Sequence, residues 1–474
     1  MTRSPTLASA LFIALALIAC AARSAGAAPP SQQRPNLIFI LADDLGYGDL
    51  ACYGQKHIKT PHLDRMAAEG VRFTDFYAGS TVCTPSRCVL MTGQHSGRAW
   101  LRGNSAIDLR PQDVTVAEVL RAGGYRTAHV GKWGLGREGG EGVPTKQGFD
   151  SFYGYLNNMH AHNYYPAYLI RDEGREPLKN VVPGPSRNGE GVAAEKVQYS
   201  HDLFTEETLK FLDAAKPTSG GKGQPFFLYL CFTIPHANNE AKNKGMEVPE
   251  LGEYADKDWP EPNKGHAAMI TRMDRDVGRI LDKLKELGLD ENTAVFFSSD
   301  NGPHKEGGQD PALSDSNGPF KGTKRDLYDG GIRVPLIARW PGKIPPGRTS
   351  DHVSGHQDVM ATLAELAGAE SHLPKHDGVS LVPTLLGKPD QQKKHEYLYW
   401  EFYEQKGARA VRMGNWKAVR KPLAGGKTEL YHIKKDPGEE SNLATQHPDL
   451  VAKAEAIMKR AHVPNEHFKL PESE

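Results

Sequence analysis

The chain has 474 residues, and its 58 Lys and Arg balance 58 Asp and Glu for a formal net charge of zero. That balance leaves no basic field to recruit nucleic acid and no polybasic segment for an anionic membrane surface. Its 49 Gly and 33 Pro fit a loop-rich enzyme better than a helical bundle, and the length suits one large core with a smaller appendage.

Residues 1–28 read as a secretory signal. Arg3 precedes a short apolar core, Leu11 to Ile18, and Ala25-Gly26-Ala27 is a small-residue cleavage site. The core is too short for a stable membrane span, and no later segment is apolar enough to be one. Leu17-Ile18-Ala19-Cys20 also has the form of a bacterial lipobox. Export to the periplasm, secretion, and a lipid anchor at Cys20 all stay open. Four cysteines follow: Cys52, Cys83, Cys88 and Cys231. They are too scattered for a disulfide framework and lack Cys-x-x-Cys metal spacing. Whether Cys52 and Cys88 pair is open.

Four apolar runs share one grammar. "NLIFILADD" ends in Asp43 and Asp44, "YRTAHVGKWG" reaches Lys132, "PFFLYLCFTIPHA" reaches His236, and "TAVFFSSDNG" ends in Asp300 and Asn301. Unbroken runs of this kind suit strands buried on both faces. Between them lie helical patterns. One puts Ile270, Met273, Val277, Ile280, Leu281 and Leu284 on a single stripe, and Gly288 then stops it. The expectation is an α/β fold: a large, mostly parallel but mixed sheet sandwiched by helices over 34–385. Segments 135–200 and 237–265 read as long loops over a site. Residues 390–474 read as a small antiparallel sheet of hairpin-spaced strands closed by a helix over 448–461.

In such sheets ligands bind beyond the carboxyl ends of the strands, which is where the charged residues fall. Asp43, Asp44, Asp300 and Asn301 offer oxygen donors only. That set suits a hard cation, Ca²⁺ before Mg²⁺, because Ca²⁺ accepts irregular mixed geometry. Lys132, Lys324 and His236 supply groups able to hold a tetrahedral oxyanion and neutralise a leaving group.

The stretch "TVCTPSRCVLMTG" then sets a question: why a cysteine stands just before an apolar, helix-like run. Cys83-Thr84-Pro85-Ser86-Arg87 matches the C-x-P-S-R signature of type I sulfatases, in the alkaline phosphatase superfamily. The blocks "PNLIFILADDLGYGDLACYGQ", "GKWGLG", "SSDNG" and "GPFKGTKRDLYDGGIRVPLIARWPG" resemble that family's blocks in order. The resemblance implies that Cys83 is oxidised to formylglycine (3-oxoalanine) by a formylglycine-generating or anaerobic sulfatase-maturating enzyme. The hydrated aldehyde would be the nucleophile on a sulfate ester. It further implies that Asp43, Asp44, Asp300, Asn301 and residue 83 hold one metal ion, and that Arg87 contacts the diol. Lys132, Lys324 and His236 would bind sulfate, and His236 would protonate the leaving oxygen. Lys324 is preferred to Lys321 because it lies four residues before Tyr328, as in the family's K-x-x-x-Y-[ED]-G-G block.

One departure is Gly134, where the family usually has His in G-K-W-H-L-G. His304 is a candidate substitute. The loop "GYLNNMHAHNYYPAYLI" clusters His160 and His162 with Tyr164 and Tyr165, a composition that suits a sugar ring, and it resembles sulfatases acting on sulfated galactose or N-acetylgalactosamine. The expected substrate is therefore a sulfated saccharide. Two alternatives stay open: a phosphate or phosphonate ester hydrolase of the same superfamily, and a catalytically silent binder of sulfated glycans.

Overall fold

The computed structural model describes residue 1 and residues 34–184, 186, 188–216 and 223–470. The signal and Cys20 readings lie outside those residues. The described residues from 35 onward form one compact unit, and no described helix is long and apolar enough to cross a membrane.

Asn36–Ala42 lies inside a ten-stranded sheet, paired in parallel with Phe226–Cys231 on one side and Thr293–Ser299 on the other. All seven of its residues are buried, which is why the run shows no polar alternation. From edge to edge the described strands are Arg348–Ser350, Val71–Phe73, Leu336–Arg339, Thr293–Ser299, Asn36–Ala42, Phe226–Cys231, Arg126–Lys132, Ser151–Tyr155, Tyr168–Arg171 and Gly174–Pro177. Thr293–Ser299 through Ser151–Tyr155 are parallel throughout. Leu336–Arg339 and the last two strands pair antiparallel, so the sheet is mixed, as expected. The segment expected to be one long loop, 135–200, instead supplies three strands, the last of which, Gly174–Pro177, forms the sheet edge. Their solvent-facing residues, such as Gly174 and Arg175, hide the apolar pattern that marks buried strands.

Each face of the sheet carries its own apolar core. Ile38, Ile40 and Ala42 point into one; Leu37, Phe39 and Leu41 point into the other. The striped helix, Glu261–Glu286, buries all six residues of its stripe, and Ile270 through Leu284 pack in the first core. Cys52 packs against that first core and Cys88 sits in the second. The sheet separates them, and both are free thiols.

The C-terminal strands Leu398–Phe402, Ala408–Met413, Trp416–Arg420 and Thr428–His432 form a separate antiparallel sheet in that order. The Pro448–Ala461 helix covers one face, with Ile457 and Met458 against Val411 and Leu430. The other face sets Trp400 and Val419 against Tyr77, Val82 and Ile332.

His129 illustrates what the sheet does to a titratable group. It is fully buried, stacked on Phe152 and Tyr229. Its Nδ1–H donates to the Tyr229 carbonyl at 2.9 Å, and burial pushes its pKa down from 6.5 to about 3. The fold therefore holds the neutral ring. Between pH 6.5 and about 3 the unfolded chain takes up a proton that the folded chain does not, so stability falls as pH falls through that window. Replacing His129 by Phe should make the dependence of unfolding free energy on pH shallower there, by up to about 1.4 kcal/mol per pH unit. Urea titrations at stepped pH measure this; an unchanged slope would mean that the folded ring already carries the proton.

Candidate active site

The register of the parallel strands sets the site. Ala42 lies beside Ser299 and Leu41 beside Cys231, so the residues that follow these strands emerge together. Asp43 and Asp44 leave the first strand; Asp300 and Asn301 leave another. The Asp44 amide donates to Asp300 Oδ1 at 3.1 Å, and the Leu45 amide to Ser299 Oγ at 2.9 Å. Asp44 sits at φ 64°, a left-handed conformation that Asp tolerates better than most residues. Lys132 is the last residue of its strand. His236, expected at the end of a strand, lies five residues beyond Cys231, past Pro235, which has no N–H to extend the ladder.

Facing these strand ends is the helix Cys83–Thr92, every residue of which is buried. Its first residue is Cys83, and Pro85 falls in the first turn, where a missing N–H costs nothing. Arg87, one turn along and fully buried, ties this helix to the sheet. Its Nε and Nη2 donate to Asp300 Oδ2 at 3.0 and 2.8 Å, and its Nη1 donates to the Lys132 carbonyl at 2.7 Å.

The remaining charges interlock. Lys132 Nζ donates to Asp43 Oδ2 at 2.6 Å. Lys324 Nζ donates to Asp44 Oδ2 at 2.9 Å and lies 3.0 Å from His236 Nε2. His236 Nδ1–H donates to the Ala237 carbonyl at 2.7 Å, which leaves Nε2 as an acceptor for the lysine. Ligand atoms of Asp43, Cys83 and His236 lie within 4.8 Å of one another, as do those of Asp43, Asp44 and Asp300.

Burial and pairing pull the ionisations in opposite directions. Burial opposes charge on Asp43, yet Lys132, His236, Arg87 and Lys324 outweigh it and hold the carboxyl well below its ordinary range. Asp44 is likewise held down against burial, chiefly by Lys324. Asp300 goes the other way, pushed up to about 7 by burial and by Asp43 despite Arg87. Burial pushes the Cys83 thiol up to about 11 against Lys132 and Lys324. An unmodified Cys83 is thus a protonated thiol at neutral pH and a weak nucleophile.

The donor set fits a hard divalent cation. Asp43 Oδ1 and Asn301 Oδ1 are buried without hydrogen-bond partners. The Asn301 amide nitrogen is spent on Asp44 Oδ1 at 2.6 Å, so only its oxygen remains to be satisfied. Three clustered carboxylates and one orphaned amide oxygen are hard ligands.

A cavity of about 580 Å³ opens over this cluster, and Cys83, Gly134, Asn158, His162, His236 and Lys324 are among the residues that line it. His162 stacks on His236 at 5.0 Å, with Nδ1 3.3 Å from Glu240 Oε1. His160, two residues earlier, does not line the cavity. It is buried between Tyr155 and Tyr168, and burial pushes its pKa down to about 4. Its role is packing, which corrects the substrate-binding reading. Tyr164 and Tyr165 are buried too. His304 stands behind His236, ring centroids 5.8 Å apart, and does not line the cavity. Its Nε2 donates to the Pro235 carbonyl at 3.1 Å, and its Nδ1 accepts from the Glu306 amide at 2.9 Å. With both nitrogens engaged it is placed to support His236, not to replace a side chain at 134. The sequence reading passed over Glu306, whose carboxylate faces Lys324 at 3.4 Å and Arg325 at 2.5 Å, and Asn158. Only the glycine at 134 hinted at the latter.

The Sulfatase family profile matches residues 35–369. The chain belongs to the sulfatase family. A second profile, described as N-sulphoglucosamine sulphohydrolase, C-terminal, matches residues 320–462. Human arylsulfatase A is 33% identical over 90% of this chain and 86% of its own length. An N-acetylgalactosamine-6-O-sulfatase of Bacteroides thetaiotaomicron is 30% identical over 90% of this chain and 93% of its own. The crystal structure of Ps i-CgsB in complex with k-i-k-neocarrahexaose superposes with a TM-score of 0.76 at 26% identity, covering 92% of this chain and 95% of that one. The sulfatase is accordingly a sulfuric ester hydrolase, of a family whose members carry a formylglycine and a divalent cation.

Arg87 is the residue on which the cluster's geometry turns. Arg87→Met strands a buried Asp300 carboxylate and the Lys132 carbonyl, and should cost the sulfatase about 3–5 kcal/mol of stability. Arg87→Lys should recover only part of this, because an ammonium cannot make the forked contact. Chemical denaturation of both variants is the check, and equal stability of Lys and Met variants would refute the forked pairing.

Proposed function

We propose that this sulfatase removes sulfate from a sulfated saccharide, with residue 83 matured to formylglycine as its nucleophile. The observation that carries the reading is the placement of Cys83. It starts a buried helix on the wall of the cavity, within 4.8 Å of ligand atoms of Asp43 and His236. A buried thiol with its pKa raised to about 11 has little to offer there. Formylglycine at that position supplies, as its hydrate, one hydroxyl for attack and a second for release.

Asp43, Asp44, Asp300, Asn301 and residue 83 are the ligands of one cation, Ca²⁺ in preference to Mg²⁺. Such a cation supplies Lewis-acid polarisation of sulfate and lowers the pKa of a nearby hydroxyl. The rest falls to the chain's own side chains. Arg87 orients residue 83 through the helix that both share and offsets the carboxylates. Lys132 and Lys324 hold sulfate oxygens as preset charges. The proton for the leaving oxygen comes from the hydrogen-bonded Lys324–His236 pair. His236 alone, held near pKa 3 by burial and Lys324, is unprotonated at neutral pH, so its charging depends on the anionic ester beside it.

His162 and the polar cavity wall suit a hydroxylated ring of the galactose or N-acetylgalactosamine class, and the Bacteroides N-acetylgalactosamine-6-O-sulfatase named above supports the latter. The N-terminal pattern supports export, to the periplasm or beyond, and its lipobox form makes Cys20 the candidate for lipid attachment. Catalysis is assigned to 34–385, and 390–474 is assigned as a subdomain bracing it. Maturation requires a formylglycine-generating or anaerobic sulfatase-maturating enzyme.

In protein co-expressed with such an enzyme, the peptide carrying residue 83 should lose the mass difference between CH₂SH and CHO. Cys83→Ala should abolish sulfate release from sulfated galactose and N-acetylgalactosamine. Preference for phosphate over sulfate esters would sink the reading. Chelator-treated protein should melt at higher temperature on addition of CaCl₂, by an amount that grows with the logarithm of concentration, and Asn301→Ala should blunt that rise. A larger rise with MgCl₂ would reverse the choice of metal.

A further inference from the structure

The cavity wall carries a buried acceptor with no partner. Asn158 opens the short helix Asn158–Ala161, and its amide nitrogen donates to Thr84 Oγ1 at 2.7 Å. Thr84 Oγ1 in turn donates its single proton to the Gly134 carbonyl at 3.1 Å. The hydroxyl can therefore only accept from Asn158, and this fixes which end of the carboxamide faces which way. Its other end, Oδ1, is buried with no hydrogen-bond partner. Buried amide oxygens are rarely left in that state, so the geometry calls for a donor there.

Gly134 shows where that oxygen lies. At φ 79°, a Cβ on Gly134 would stand 2.8 Å from Asn158 Oδ1 and 3.6 Å from Arg87 Cδ. The oxygen thus occupies the space that any side chain at 134 would enter. Gly134 and Asn158 both line the cavity with residue 83, and Thr84, which orients the amide, is the next residue in the chain. Among the described residues no donor reaches Oδ1. Residue 83 lines the same cavity, and on the formylglycine reading its maturation adds hydroxyl donors there.

We propose that Asn158 Oδ1 accepts a hydrogen bond from a hydroxyl of the hydrated aldehyde at position 83. The proposal rests on the formylglycine reading above. Hydration adds water across the carbonyl: its hydroxyl goes to carbon and its remaining proton to oxygen, giving two hydroxyls. An amide oxygen accepts a hydrogen bond from one of them without taking its proton at working pH. Asn158 thereby favours the hydrate over the free aldehyde and aims one hydroxyl, while adding no titrating group of its own.

The test uses full-length, matured protein, with the aldehyde at residue 83 first verified by peptide mass. Its readouts are hydrazide labelling of residue 83, and kcat and KM with 4-nitrophenyl sulfate as probe. Asn158→Ala should label faster, because less of the aldehyde is hydrated, and kcat should fall about tenfold with KM nearly unchanged. Asn158→Asp keeps an acceptor of the same shape. It loses the N–H that Thr84 Oγ1 accepts, so it should label at a rate between the parent's and that of Asn158→Ala, and add a new limb to the pH profile of kcat. Labelling of Asn158→Ala at the parent's rate overturns the proposal whatever its kcat. If that variant does not fold, an Asn158→Asp profile without the new limb overturns it. A parent with no aldehyde at residue 83 sinks the formylglycine reading itself, whereas an aldehyde-bearing parent whose variants label alike sinks this one alone.

Discussion

The forked pair between Arg87 and Asp300 is the constraint from which the rest of the site follows. Carboxylates at the ends of strands buried on both faces face a desolvation cost of several kcal/mol each. Asp43, Asp44 and Asp300 bear that cost together, within 4.8 Å of one another. Three buried cations, Arg87, Lys132 and Lys324, offset it, and each comes from a different element. The cluster is consequently a joint. It locks the start of the Cys83–Thr92 helix to the strand ends, and that lock fixes residue 83 against the ligand atoms with little freedom to drift. A site built this way is preorganised because each buried charge is held by partners on other segments before any ligand arrives.

Much of this was legible in the chain because the physics that buries a strand also exposes its end. Continuous apolar runs marked the central strands, and the polar residues just past them marked the site. The resemblance preferred Lys324 to Lys321, and their packing differs. Lys324 reaches Asp44, whereas Lys321 lies 4.1 Å over the Tyr328 ring and donates to the Glu439 carbonyl. What stayed illegible depended on tertiary direction. His160 and His162 are two residues apart, with the same composition around them. One is turned beneath Tyr168 and the other toward His236, and no periodicity in so short a helix distinguishes them. The two outer strands between 168 and 177 were invisible for a related reason, since half their pattern answers to solvent. Asn158 was passed over because an asparagine in a loop has an ordinary explanation in turn chemistry. Its significance appears only when the empty side of Gly134 is set against it.

The C-terminal sheet braces the segment that carries Lys324. The segment carrying Lys324 has little regular structure of its own, yet it must hold a buried ammonium against Asp44. Its near end is fixed by Lys324 N donating to the Pro303 carbonyl at 2.8 Å and Arg325 N to the Thr81 carbonyl at 3.1 Å. Its far end is fixed by Asp329, fully buried, whose carboxylate accepts from Lys417 Nζ at 2.7 Å and Tyr77 OH at 2.9 Å. Lys417 belongs to the C-terminal sheet and also pairs with Glu439 at 3.1 Å; Glu439 in turn accepts from the Asp329 amide at 2.6 Å. These groups have no exposure to water, so removing any one strands the others. The small sheet therefore acts on the chemistry without touching it. It clamps the segment that delivers Lys324, as Arg87 clamps the helix that delivers residue 83, and the cavity lies between these two charge-built anchors.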